Sequence, residues 1–186
     1  MTKAIIITAV ALGVIAVTGV ILSLAAPKRI SVISSVWVHA PKEEVYNQLR
    51  FMKNFPSWSP FRLQDPQQKF SVSGKDGEAG ATYSWEGVKE KSKGSQTVTS
   101  LTDNNKVIIH CDITEPFTAK PVFDYTLTEK NGGVQVQQQF DVDMPAPSNV
   151  FALLLGLKKK MAATNQQGLE LLKKVSEQAA LVSTAK

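Results

Sequence analysis

His110 and Cys111, residue types that often work together, are neighbours in this 186-residue chain. A histidine can take the proton of a thiol and leave a thiolate nucleophile. Here, however, they lie in Val107–Ile113, a stretch that reads as a β-strand, and successive side chains of a strand point to opposite faces. The two cannot form a dyad. Cys111 shares its face with Ile109 and Ile113 and reads as a small buried hydrophobe, while His110 reads as solvent-facing. Asp141 and Asp143 do share a face, and paired carboxylates can divide acid and base roles. Yet Phe140, Val142 and Met144 alternate with them and claim the core side, which leaves both aspartates on a solvated face. Two histidines, His39 and His110, and one cysteine offer no metal-ligand spacing. The loop Gly74–Gly80 leads into a strand rather than a helix, so it reads as no phosphate cradle. The motifs GxGxxG, GxxxxGK, HExxH and CxxC are all absent. No catalytic residue, metal site or cofactor is expected.

The residues that could shape a binding site are apolar, aromatic or neutral. Trp58, Tyr83 and Trp85 read as core packing or as a ligand wall. Gln138 stands in phase with Val136, Phe140 and Val142 on the face read as inward. A buried amide needs hydrogen-bond partners. Gln138 could orient a ligand in a greasy pocket, or bond Tyr125 or a water. The only evident inward titratable groups are Tyr83, Tyr125 and Cys111. Strand parity assembles a candidate cavity wall from Tyr83, Trp85, Ile109, Cys111, Ile113, Phe123, Tyr125, Gln138 and Phe140, roofed by Leu157 and Met161. A shift of one residue in any strand would turn its whole set outward.

The elements that must position this wall follow from hydrophobic period and turn chemistry. Val32–His39 alternates as a strand and stops at Ala40-Pro41. Pro41, Glu43 and Glu44 suit the first turn of a short helix, with Val45 and Leu49 on its buried stripe. Phe55-Pro56-Ser57-Trp58-Ser59-Pro60-Phe61 breaks regular structure twice. Ala81, Tyr83 and Trp85 alternate with polar residues, and Gln96–Leu101, Val107–Ile113, Val122–Thr128 and Val134–Val142 read as further strands. Tight turns join them, at Asp103-Asn104-Asn105, Glu115-Pro116 and Asn131-Gly132-Gly133. After Met144-Pro145-Ala146-Pro147 the period becomes helical. Leu154, Leu157, Met161, Leu169, Leu172 and Val175 predict one helix from about Ser148, as its cap, to about Ala180, weakened slightly by Gly156 and Gly168. An antiparallel sheet hides one face, and this helix is the main cover available.

Residues 1–27 stand apart from the domain at 28–186. Ala4–Ala26 holds 23 residues without a charge, and about 20 apolar residues cross a bilayer as a helix. The competing reading is a signal peptide, with Lys3 before it and Ser23-Leu24-Ala25 as a small-x-small cleavage site. A signal core usually runs only about 7–15 residues, which favours a retained anchor. Lys28, Arg29 and Lys42 against Lys3 place the domain on the cytoplasmic side, by a margin narrow enough to keep the periplasmic or extracytoplasmic side open. Gly19 and Ser23 form a small-xxx-small pair that could pack helices into a homodimer. The lone Cys111 excludes an internal disulfide framework. The net charge is +5 and the apolar share 43%. The lysines at Lys89–Lys93, Lys158–Lys160 and Lys173-Lys174 read as solvated faces or as contacts to anionic headgroups. Without interleaved aromatics they read as no nucleic-acid site.

Four segments resemble the SRPBCC superfamily (START-like, helix-grip proteins), most closely its polyketide cyclase/dehydrase-like branch. They are Val36-x-Val38-x-Ala40-Pro41-x-Glu43-x-Val45; Phe55-Pro56-x-Trp58-Ser59-Pro60-Phe61; Gly80-Ala81-x-Tyr83-x-Trp85-Glu86-Gly87; and Pro116-Phe117 with Met144-Pro145 before the C-terminal helix. The resemblance covers nearly all of residues 30–180. It implies an α+β helix-grip fold, a curved antiparallel sheet wrapped around a long C-terminal helix with a hydrophobic cavity between them, here with one N-terminal transmembrane helix. The family pattern usually has an apolar or aromatic residue where Gln138 stands. It implies lipid or hormone carriage, aromatase/cyclase activity, or membrane stress roles, and fold does not decide among them. The expected function is a membrane-tethered module that holds a lipid-like or aromatic small molecule. The alternatives are a polyketide cyclase/dehydrase-type enzyme and a structural or stress-response membrane protein.

An anchor of this kind has a direct consequence. The full chain should stay with membranes through high salt and carbonate, and a chain beginning near Lys28 should be soluble and folded. A mature protein that begins at Ala26 would replace the anchor with secretion.

Overall fold

The computed structural model describes residues 2–89 and 91–184. Helix α1 (Thr2–Ala25) contains one stretch, Ile5–Ala25, long and apolar enough to cross a membrane, and large apolar side chains along it, from Ile5 to Leu24, are exposed. Its last turn touches the domain. The Asn149 amide donates to the carbonyls of Ser23 at 2.8 Å and Ala26 at 3.1 Å. Those carbonyls end a helix and have no partner within it.

Strand β1 (Arg29–Val38) buries every second residue: Ile30, Val32, Ser34, Val36 and Val38. Helix α2 (Lys42–Arg50) follows. Pro41 holds the position just before its first turn, Glu43 and Glu44 lie at the positive end of its dipole, and Val45 and Leu49 are fully buried. A 3-10 turn at Met52–Asn54 leads into the Pro-rich segment read as breaking regular structure twice, which holds two single-turn helices, α3 (Phe55–Trp58) and α4 (Pro60–Gln64). Pro56 and Pro60 each fall at the start of a turn, where proline lacks only an N–H that would be unpaired anyway. Ser59 accepts from the Arg62 amide between them.

Six strands complete the sheet: β2 (Lys69–Ser73), β3 (Thr82–Glu86), β4 (Lys93–Thr102), β5 (Lys106–Glu115), β6 (Val122–Lys130) and β7 (Gly133–Asp143). The order is β1-β7-β6-β5-β4-β3-β2, antiparallel throughout. Strand β2 is not among the strands expected from the sequence. It is a free edge with four of its five residues exposed, so burial leaves little alternation to read. The β4–β5 register slips at Lys93/Gly94 and again at Val98/Ser100, and such bulges bend a sheet. At Gly94 a Cβ would meet the Asp112 carbonyl at 2.5 Å and the Trp85 ring at 2.7 Å, so only glycine allows that approach.

The single C-terminal helix expected from the periodicity is two helices, α5 (Ser148–Leu154) and α6 (Leu157–Thr184). Gly156, at φ +62°, terminates the first in the left-handed region, and the amides of Leu155 and Gly156 close it onto Phe151 and Leu153. Ser148 forms no cap: Pro147 occupies that position with no side-chain hydrogen bond.

Helix α6 lies along β1 and α2, and its Leu169 and Leu172 seat in a core with Val36, Val45, Leu49, Val98, Ile109 and Tyr125. A second, smaller cluster joins Ile30, Val32, Phe140 and Val142 to Ala152 of α5, with Leu157 and Met161 against it. Ile109 is 2% exposed, between Val98 and Phe123 of the flanking strands. Ile109→Ala should therefore cost about 2–5 kcal/mol in chemical denaturation, the range for truncations in a packed core. A cost below about 1 kcal/mol would reveal empty space beside it.

Candidate functional site

The inner face of the sheet is built of cross-strand rows. One row, Val98–Ile109–Phe123–Phe140–Val32, is wholly apolar. The next, Leu101–Val107–Tyr125–Gln138–Ser34, turns polar at its β1 end. The Gln138 Nε2 donates to the Tyr125 hydroxyl at 2.8 Å, and both residues are buried, at 4% and 3% exposure. Gln137 and Gln139 face solvent. Helix α6 adds Asn165, which follows Met161 and precedes Leu169 at helical spacing and so shares their inward stripe. Its neighbour Gln166 donates to the Ser35 carbonyl, so this stretch of α6 lies against β1.

Ser34, Tyr125 and Gln138 form the sheet part of a polar belt, and Asn165 is its buried counterpart on α6, between Met161 of the smaller cluster and Leu169 of the larger. The belt is incompletely satisfied: Gln138 Oε1 and Asn165 Nδ2 are buried without a hydrogen-bond partner. Whichever way the Gln138 amide is turned, Tyr125 meets only one of its two polar atoms. Each unmet group costs about 1–3 kcal/mol. Buried groups of this kind are normally met by ordered water or a ligand. A further orphan, Gln96 Nε2, lies in the row Tyr83–Gln96–Cys111. Beside it, the Tyr83 hydroxyl donates to Gln68 Oε1 at 3.3 Å, and Phe55 and Phe70 pack on the Tyr83 ring.

The titratable groups of this interior are all pushed toward their neutral forms. Burial raises Tyr83 and Cys111 to about 12. Burial raises Tyr125 further still, against a smaller opposing effect of its hydrogen bond with Gln138. All three are neutral near pH 7, which suits hydrogen bonding and disfavours proton transfer. On the outer face, Asp141 accepts from Ser31 and Gln139 and pairs with Arg29 at 3.4 Å, and these contacts hold its carboxyl below the usual range. His110 is exposed. Among the described residues no three His, Cys, Asp or Glu side chains converge as a metal cage.

The residues read as one wall divide between the two clusters. Tyr83, Ile109 and Tyr125 belong to the larger, with Trp85 packed against it; Phe140 belongs to the smaller, with Leu157 and Met161. Phe123 touches both. Cys111 is buried and Ile113 half-buried. The expected roof therefore covers Phe140 but not Tyr83, which lies with Phe55 and Trp58. Ser34, Gln96 and Asn165 are additions that the sequence reading lacks. The signal is present in each case: Ser34 is in phase with Val32 and Val36, Gln96 with Val98, and Asn165 with Met161 and Leu169. An open groove of about 780 Å³ lies elsewhere, between His39–Lys42, Glu129–Val134 and the Glu177–Leu181 end of α6, and contains none of the wall residues.

Comparison with solved structures finds the same fold in distant proteins. Protein CV1439 from Chromobacterium violaceum is 14% identical, with a TM-score of 0.59 over 80% of this chain and 97% of that one. The protein TTHA0849 from Thermus thermophilus is 16% identical, with a TM-score of 0.58 over 81% and 99%. The di-domain ARO/CYC StfQ from the steffimycin biosynthetic pathway is 12% identical, with a TM-score of 0.60 over 82% of this chain and 52% of that one. No curated protein matches the chain. A family model does, over residues 29–177, which is β1 through most of α6. The chain belongs to the family described as polyketide cyclase / dehydrase and lipid transport.

Proposed function

We propose that the domain holds a hydrophobic small molecule, lipid-like or aromatic, whose one neutral polar group meets the belt of Ser34, Tyr125, Gln138 and Asn165, and that α1 tethers it to a membrane. The observation that carries this reading is the pair of orphaned amide atoms, Gln138 Oε1 and Asn165 Nδ2, inside an otherwise apolar grip. One is an acceptor and the other a donor, so a hydroxyl or an N–H-bearing amide, which both donates and accepts, can satisfy them. Family membership supports a ligand-binding or cyclase-type role. Between these, the neutral state of Tyr83, Tyr125 and Cys111 favours holding over turnover.

The belt also limits the ligand. Among the described residues the buried charged side chain is Asp65, whose carboxylate accepts from the amides of Val88 and Lys89. The belt itself has no charge to offset an ionised ligand head, and an unpaired buried charge is strongly disfavoured. A long-chain alcohol should therefore bind more tightly at pH 7 than the carboxylate of equal length, in a fluorescence displacement titration. Tighter binding of the carboxylate would refute a neutral belt.

The decisive experiment is native mass spectrometry of the full chain released in mild detergent, compared with a Tyr125→Phe, Gln138→Leu double variant. Removing both hydrogen-bonding partners together is close to neutral for folding. The melting temperature should hold or rise, while retention of the copurified molecule falls by roughly two- to tenfold per hydrogen bond lost. No copurified molecule, or undiminished retention, overturns the proposal. Turnover of a polyketide-like substrate that disappears in Tyr125→Phe would establish the cyclase reading instead.

A further inference from the structure

Helix α5 presents an apolar face that the domain leaves uncovered. Ala152 and Asn149 turn inward, whereas Phe151, Leu153, Leu154 and the following Leu155 are each more than half exposed. This is not a frayed end. The backbone bonds from Leu155 and Gly156 to Phe151 and Leu153 hold the turn closed. Contiguous exposed apolar groups on an ordered element mark an interaction surface.

Two observations identify what covers it. First, Asn149 donates to the terminal carbonyls of α1 at Ser23 and Ala26, so α5 sits where the apolar helix ends. Second, between Asp143 and Glu170 the chain carries Lys158, Lys159 and Lys160 and no acidic residue. All three lysines lie outside the buried core, and the first follows Leu155 by three positions. An apolar turn flanked by lysines, fixed to the end of a bilayer-length helix, matches the boundary between acyl chains and anionic headgroups.

We propose that α5 and Leu155 lie in the interfacial layer of the same bilayer that α1 crosses, with Lys158–Lys160 against anionic lipid phosphates. This rests on the reading of α1 as a membrane span. It leaves the smaller apolar cluster, which α5 covers through Ala152, separated from lipid by that one short helix, so that a hydrophobic molecule can pass between bilayer and grip at this end.

The test uses the full chain in vesicles of phosphatidylcholine and phosphatidylglycerol, with an environment-sensitive fluorophore on Leu154→Cys. Cys111 is buried and stays unlabelled. A parallel label on Val182→Cys, exposed near the opposite end of α6, serves as reference. The label at 154 should emit at shorter wavelength and be quenched by spin-labelled lipids, and that at 182 should do neither. Replacing the phosphatidylglycerol with phosphatidylcholine should weaken the quenching at 154. A chain that resists carbonate extraction while its label at 154 reports water overturns this proposal and leaves the span intact. Release by carbonate overturns both, and equal quenching at 154 and 182 overturns the specific docking of α5.

Discussion

The seating of α6 along β1 is the constraint on which the rest of the domain depends. β1 is the first strand of the chain and an edge of the sheet, yet it pairs with β7 over ten residues without a register shift. That pairing brings the two ends of the domain together, and it must form across a long stretch of intervening chain, with the closure entropy that implies. What repays it is burial. The alternating Ile30, Val32, Val36 and Val38 supply an inner face, and Leu169 and Leu172 of α6 share one core with Val36 and Val38. The short helices α2 to α4 then fill the flank that one helix cannot reach, through Val45, Leu49 and Trp58.

Against that constraint the polar belt is costly, and its position gives it meaning. It occupies adjoining places on β1, β7 and β6, with a buried member on α6, where aliphatic residues would add stability. Ser34 lies between Val32 and Val36, and Gln138 between Val136 and Phe140. A polar residue at one such place is ordinary, but four of them, with a donor and an acceptor left unmet, form a consistent departure from core chemistry. Natural proteins tolerate such local losses where binding requires them.

Most of the fold is legible in the sequence because period two and helical period are both strong here. The inward parity of Ile109, Tyr125 and Gln138 follows from residues on either side, each strand having one plainly greasier face. Three features are not legible, for physical reasons. Strand β2 is an exposed edge, so its pattern carries no burial signal. The break at Gly156 depends on the left-handed conformation of one residue, and a glycine in a helical pattern is equally compatible with a small loss of stability. The wall reads as continuous because parity tells which face a residue occupies, not which neighbours it meets along that face. Ser34 and Gln138 interrupt the inner faces of β1 and β7 between the two clusters, and the α6 member, Asn165, becomes visible only when the helical stripe is read for polar exceptions.

The two proposals, for the interior and for the surface, concern the same kind of molecule. A compound that is apolar over most of its length and neutral at one end dissolves poorly in water and accumulates in membranes. For such a compound, a binding site reached from bulk water would be limited by the scarcity of free ligand, whereas a site whose mouth touches lipid draws on a far higher local concentration. The tether and the apolar turn then have distinct tasks. Under the proposed membrane reading, helix α1 fixes the distance from the bilayer, and the bonds from Asn149 to the carbonyls of Ser23 and Ala26 fix which end of the domain faces it. Without that orientation, exposed leucines on α5 would be a liability for aggregation. Under that proposal, they bring the apolar end of the grip within reach of the proposed ligand.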